Sequence, residues 1–135
     1  MFIPTPTHVT RKVLTVDDSK VVRMMVKRAL QTLDCLIVEA SNGQEGLQQA
    51  ELEKPDLILL DVTMPEMTGL EMLAQLRTNE KTKSIPVIML TAESGQANIA
   101  HADRLGISGY FSKPFKEEHL RAKVQQVVPI HERRS

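Results

Sequence analysis

Five short apolar runs, each followed by a segment with helical periodicity, constrain this chain more than any other feature of its sequence. The runs are Val13-Leu14-Thr15-Val16, Leu36-Ile37-Val38, Leu57-Ile58-Leu59-Leu60, Val87-Ile88-Met89-Leu90 and the stretch from Ile107 to Phe111. Strands that are apolar throughout, rather than alternating with polar positions, must be covered on both faces. Between the runs, Val21, Val22, Met25, Val26, Ala29, Leu30 and Leu33 share one helical face, and Leu70, Leu73 and Leu76 share another. Ser41-x-x-Gln44 matches a capping box that opens a helix over residues 42–53, and Pro55 stops it. Residues 95–105 and 115–128 supply two more helices. Strand and helix repeated five times predict an α/β fold: a doubly wound, five-stranded parallel sheet with five helices. Right-handed crossovers restrict its topology further.

The domain is expected to span residues 11–128, one core in a chain of 135 residues. Residues 1–10 contain two prolines and three threonines without an apolar period, which predicts a loosely ordered arm. Residues 129–135 are expected to form a solvated C-terminal tail carrying Arg133 and Arg134. Hydrophobic residues make up 41% of the chain and charged residues 25%, which excludes wholesale disorder. The single cysteine, Cys35, excludes a scaffold of intrachain disulfides. No apolar run approaches the roughly 18 residues of a membrane helix, and the first residues lack a signal peptide's apolar core. A cytoplasmic protein without membrane insertion is therefore expected.

Seventeen basic residues balance seventeen acidic ones, yet residues 31–80 hold ten acidic and two basic side chains. A nucleic-acid binder concentrates positive charge; here the concentrated charge is negative, so capture of a cation is favoured over nucleic acid.

In sheets of this class the loops at the carboxyl ends of the strands carry the chemistry. Asp17 and Asp18 follow the first run, Asp61 ends the third, Thr91 ends the fourth, and Lys113-Pro114 follows the fifth. Each has an ordinary structural use: Asp17 or Asp18 could cap a helix, Asp61 could open a turn before Pro65, Thr91 could be a strand residue and Lys113 a solvated amine. Their convergence on one sheet edge is what loop composition does not explain. Three carboxylates in close reach repel one another unless a cation neutralises them. Mg²⁺ with oxygen ligands would do so, and one carboxylate could then attack phosphorus to give an aspartyl phosphate. Lys113 and the cation would offset charge in the transition state, and Thr91 is placed to donate a hydrogen bond to the same group.

Four segments carry a family resemblance: Val16-Asp17-Asp18-Ser19, the loop Asp61-Val62-Thr63-Met64-Pro65-Glu66-Met67-Thr68-Gly69, Thr91-Ala92-Glu93, and Gly109-Tyr110-Phe111-Ser112-Lys113-Pro114-Phe115. In order and spacing they resemble the receiver domain of bacterial two-component response regulators, most closely the single-domain chemotaxis receivers. The resemblance implies a flavodoxin-like sheet of order 2-1-3-4-5 and a cis Lys113-Pro114 bond. It implies that Asp61 accepts a phosphoryl group from a sensor histidine kinase or a histidine phosphotransfer domain. Asp18, Asp61 and the Thr63 backbone carbonyl would bind Mg²⁺, with Asp17 acting through water. Lys113 would pair with the phosphoryl oxygens, and Thr91 and Tyr110 would form the switch. A partner face on the fourth helix, fifth strand and fifth helix would include Ile99, His101, Tyr110 and Lys123. Thr63 and Glu93 would tune dephosphorylation.

The expected function is a stand-alone receiver, a monomer that catalyses only its own phosphorylation and dephosphorylation. Its expected pathway is chemotaxis, with a flagellar motor switch protein and a phosphatase as further partners. The fourth helix begins Ser94-Gly95-Gln96, without the basic start of the enteric chemotaxis receiver, and Thr68 stands where many relatives have Asp. An alternative is a phosphorelay receiver passing the group on to a phosphotransfer histidine. An aspartate-nucleophile phosphatase of the haloacid dehalogenase type would need Asp at position 63, where Thr63 stands. A flavin carrier would need a phosphate cradle where Asp17-Asp18 would repel the phosphate.

Overall fold

The structure, a computed structural model, describes residues 10–92 and 96–133. Apart from the exposed Thr10, the expected arm lies outside the described residues. Five strand–helix units follow one another: β1 (Arg11–Val16), α1 (Lys20–Leu30), β2 (Cys35–Ala40), α2 (Gly43–Glu53), β3 (Leu57–Asp61), α3 (Gly69–Thr78), β4 (Val87–Thr91), α4 (Gln96–Leu105), β5 (Gly109–Ser112) and α5 (Glu117–Val127). Every strand pair is parallel, and the order across the sheet is β2-β1-β3-β4-β5. This is the doubly wound α/β fold that the sequence predicts. Among the described residues no helix is long and apolar enough to cross a membrane.

Alternation along each strand decides which helical layer a side chain enters. Leu14, Val16, Ile58, Leu60, Val87 and Met89 pack with Ala50 of α2, Met72, Leu73 and Leu76 of α3, and Ala102 of α4. Val13, Leu57, Leu59, Ile88 and Leu90 pack with Val26, Ala29 and Leu30 of α1 and Leu120 and Val124 of α5. β3 and β4 are buried at every residue, because their neighbours cover both edges and the helices cover both faces. The two outer strands depart from that expectation. Leu36 on β2 is 54% exposed, and β5 alternates half-buried with exposed residues.

Local details correct the sequence reading at several points. The N-cap of α2 is Asn42, whose side chain accepts from Glu45 N–H at 2.8 Å, so Ser41 is not the cap. Ser41 instead donates its N–H to Glu45 Oε1 at 3.3 Å. The capping box belongs to α3, where Thr68 and Glu71 bond reciprocally at 2.9 and 3.2 Å. Lys54 at φ 49° ends α2 just before Pro55. Val21 is 65% exposed and so does not belong to the core face of α1. Leu33 is buried but lies beyond the helix end, in an antiparallel bridge with Glu132. β5 starts at Gly109, two residues later than the apolar run suggests, although Ser108 N–H already donates to Val87 O at 2.8 Å.

Residues 129–133 are docked on the domain rather than forming a solvated tail. Ile130 is buried, Asp34 N–H donates to His131 O at 2.8 Å, and Arg133 N–H donates to Thr32 O at 2.7 Å. The Arg133 guanidinium donates to Gln31 O at 3.0 Å and Cys35 O at 2.8 Å. Gln31 and Thr32 stand past the last turn of α1, where carbonyls have no helical partners, and Arg133 bonds to both. Arg134 lies outside the described residues.

Thr15 interrupts the apolar content of β1, and its buried Oγ1 has no hydrogen-bond partner among the described residues. A buried hydroxyl without a partner costs the fold its desolvation. Thr15→Val, close in shape, is expected to raise stability by about 1 kcal/mol in urea unfolding. An unchanged or lower midpoint would mean that the hydroxyl is satisfied in solution.

Candidate functional site

Strand register brings the acidic residues together. Val16 of β1 pairs with Leu60 of β3, so the residues that follow, Asp17 and Asp61, emerge side by side where the sheet order reverses. A close approach holds the far side of this loop. A Cβ at Gly69 would stand 2.1 Å from the Asp61 carbonyl oxygen, so only glycine lets α3 begin against the end of β3. Gly69 N–H donates to Val62 O at 2.9 Å in the same turn.

Carboxylate oxygens of Asp17, Asp18 and Asp61 all lie within 4.8 Å of one another. Asp17 and Asp61 are buried and Asp18 is exposed. Lys113 Nζ reaches between the buried pair, 3.0 Å from Asp17 Oδ2 and 3.0 Å from Asp61 Oδ1. Asp17 Oδ1 accepts from Ser19 N–H at 2.9 Å, and Asp61 Oδ1 accepts also from Thr63 N–H at 3.2 Å. Among the described residues Asp61 Oδ2 accepts from none. The Lys113–Pro114 peptide is cis, as the resemblance implies.

The electrostatics follow from burial and charge count. Burial pushes the Asp61 carboxyl up from the ordinary 3.8 to about 6; the Lys113 hydrogen bond opposes this rise and the Asp17 charge adds to it. Burial works against the Lys113 ammonium, but its hydrogen bonds and charge attraction to Asp17 and Asp61 outweigh it and hold the group above the ordinary lysine value. Three carboxylates against one ammonium leave a double negative charge. A hard divalent cation fits that charge and that all-oxygen donor set, whereas zinc favours nitrogen or sulfur donors.

The other expected site residues are placed differently. Thr91 is buried at the end of β4, but its hydroxyl donates to Ala92 O at 3.0 Å and bonds to none of the three carboxylates. Tyr110 points outward on β5, 54% exposed. Thr63 is exposed beside Asp61. Ile99 is half-buried and His101 exposed on α4, and Lys123 of α5 lies across β5, where a Cβ at Gly109 would stand 2.6 Å from its Cε. Glu93 lies outside the described residues.

Two participants were missed in the sequence. Ser19 caps α1 by accepting from Val22 N–H at 3.2 Å, a role considered for Asp17 or Asp18. A serine immediately before a helical period is a usable signal for it. Arg23 donates to the Asp17 carbonyl, a contact between helix and loop that no periodicity announces.

Comparison with known proteins agrees with this architecture. The family model described as response regulator receiver domain matches residues 13–125. Chemotaxis protein CheY1 of Helicobacter pylori is 34% identical over 119 residues, covering 87% of this chain and 96% of that protein. The alkaline phosphatase synthesis transcriptional regulatory protein PhoP of Bacillus subtilis is 35% identical over 118 residues, 87% of this chain; the chain spans 48% of that regulator. The solved structure of Vibrio cholerae chemotaxis protein CheY4 matches with a TM-score of 0.83 at 36% identity, over 89% of this chain and 100% of that one.

The raised Asp61 value has a testable sign. Ionised Asp61 costs the fold, so its contribution to stability is most favourable below the ordinary value of 3.8 and declines as pH rises through about 6. In cation-free buffer Asp61→Asn is expected to be more stable than the native chain at pH 8, by roughly 1–3 kcal/mol. The gap should close towards pH 4. Urea unfolding across this range checks it, and equal stability at pH 8 would contradict the assigned cost.

Proposed function

The chain belongs to the response regulator receiver family, and from that membership we propose that it takes a phosphoryl group from a sensor histidine kinase, or from a histidine phosphotransfer domain, onto Asp61. The observation that carries this reading is the state of the Asp61 carboxylate. Lys113 Nζ and Thr63 N–H hold one oxygen, and the other is left without a partner among the described residues. That second oxygen is the nucleophile. Its bond to phosphorus forms as the phosphorus–nitrogen bond of the phosphohistidine breaks, and the imidazole leaves with the bonding pair.

Asp18, Asp61 and the Thr63 backbone carbonyl would hold Mg²⁺, with Asp17 reaching it through water. The bound cation would offset negative charge on the phosphoryl oxygens. Lys113, already between Asp17 and Asp61, exchanges part of its bond to Asp61 for one to the new phosphoryl group. Asp17 keeps the ammonium in place while this happens. Position 63 carries a hydroxyl, so there is no second aspartate to act as general acid and base, and turnover of small phosphate esters is not expected. Thr63, with Glu93, instead tunes loss of the phosphoryl group to water.

The output is a population shift. The Thr91 hydroxyl, bonded to Ala92 O in this state, gains a charged acceptor when Asp61 is phosphorylated. Its movement opens space for the exposed Tyr110 ring to turn inward, reshaping the surface of α4, β5 and α5 that carries Ile99, His101, Tyr110 and Lys123. The likeness to the chemotaxis protein CheY1, matched over 96% of its length, supports chemotaxis signalling as the pathway; in this reading the receiver acts as a cytoplasmic monomer on a flagellar motor switch protein.

Intact-mass spectrometry after incubation with Mg²⁺ and acetyl phosphate is expected to show a labile phosphoryl adduct on the native chain and none on Asp61→Asn. An adduct on both would move the acceptor elsewhere. Rapid reverse transfer to a phosphotransfer histidine, without phosphorylation-dependent binding to a motor peptide, would replace the chemotaxis output by a relay.

The chain has one tyrosine and no tryptophan, so its intrinsic fluorescence reports Tyr110 alone. Beryllofluoride with Mg²⁺ is expected to change that signal. A constant signal with the ligand demonstrably bound would remove Tyr110 from the switch.

A further inference from the structure

The loop carrying Asp17 and Asp18 is also held from the side opposite Lys113. Arg23 of α1, only 14% exposed, donates from Nη1 to the Asp17 backbone carbonyl and from Nε to Glu39 Oε1 at 3.0 Å. The second Glu39 oxygen accepts from Lys27 at 3.0 Å. The next residue of β2, Ala40, accepts the Asp17 N–H at 3.1 Å. Both polar groups of the Asp17 main chain are thus tied to the last two residues of β2, one directly and one through a guanidinium.

The Asp17 carbonyl belongs to the peptide that joins Asp17 to Asp18, so its direction sets the position from which the Asp18 side chain starts. No hydrogen bond to another described residue holds the Asp18 carboxylate, and the side chain is exposed. Its aim therefore depends on its main chain. A guanidinium can satisfy a carboxylate and a carbonyl from one rigid plane, which an ammonium on a flexible stem does less well.

We propose that Arg23 is a positioning residue for the cation at the acidic site, acting through the Asp17–Asp18 peptide and anchored by Glu39. This rests on reading the acidic cluster as a Mg²⁺ site. Groups that orient metal ligands typically change affinity by about 10-fold to 100-fold when removed. Arg23 would do so without touching the cation.

The test is direct cation binding, with Mn²⁺ as the probe of an all-oxygen site and free Mn²⁺ followed by electron paramagnetic resonance. Urea unfolding in a chelator runs alongside, so that loss of affinity is separated from loss of fold. Native chain and Arg28→Met, which alters a surface pair with Glu117, are expected to bind alike. Arg23→Met should bind about 10-fold more weakly with its unfolding cooperativity intact, and Arg23→Lys should recover part of the difference. If the native chain binds Mn²⁺ and Asp18→Asn weakens it while Arg23→Met stays within about 2-fold, a margin well below that range, the positioning role is overturned and the cation site stands. If the native chain does not bind Mn²⁺, the cation site itself fails and this inference with it. Should Arg23→Met not fold, Glu39→Gln carries the test, since it keeps Arg23 and removes its anchor. Native affinity in that variant would overturn the proposal.

Discussion

The ammonium of Lys113 between the carboxylates of Asp17 and Asp61 is the interaction on which the site end of the molecule depends. It joins groups 96 and 52 residues apart in the chain, at 3.0 Å each. Without it, two buried carboxylates would face each other where β1 and β3 end side by side. Removing Lys113 would leave both carboxylates uncompensated, whereas removing the Asp61 charge leaves the ammonium still paired with Asp17. One ammonium still cannot balance three carboxylates, and this residual charge suits the site to a divalent cation.

The remainder of the fold makes that concentration of charge tolerable. Leu57, Ile58, Leu59 and Leu60 lie fully buried directly beneath Asp61, and Val87 to Leu90 beside them are buried too. The centre of the sheet is stiff, because β3 and β4 are packed on both faces and their side chains feed two separate clusters. Polar departures concentrate at the strand ends, where Asp61 is held ionised at a cost to stability. Local instability at functional positions set on a well-packed scaffold is a common arrangement. Thr15, a buried hydroxyl in the middle of β1, is the exception that this arrangement does not account for.

Legibility in the sequence tracked how local each signal was. The central strands were clear because covering on both faces requires continuous apolar runs, and Leu57 to Leu60 has no other economical use. The outer strands are less clear: the run containing Leu36 reads as core, but β2 is an edge strand of the described sheet and Leu36 is exposed. At the start of α2 either Ser41 or Asn42 could accept a helix N–H, and the bond from Glu45 N–H to the Asn42 side chain distinguishes them. The docking of the segment around Ile130 and Arg133 is not legible in the sequence, because its partners, the carbonyls of Gln31, Thr32 and Cys35, are about one hundred residues away in the chain.

By itself the sequence determined the succession of strands and helices, the buried runs of the central strands and the chemistry available at the strand ends. Those properties depend on residue type and short-range period, which the linear chain carries in full. Only the tertiary structure decided which oxygens Lys113 bridges, that the Thr91 hydroxyl is engaged with Ala92 while Tyr110 stands outside, and that Arg23 braces the acidic loop through the end of β2. Each of these is a matter of hydrogen-bond geometry across the sheet or between helix and loop. A hydrogen bond weakens steeply beyond about 3.2 Å or below about 120°, and positions that accurate are set by packing between elements distant in the chain.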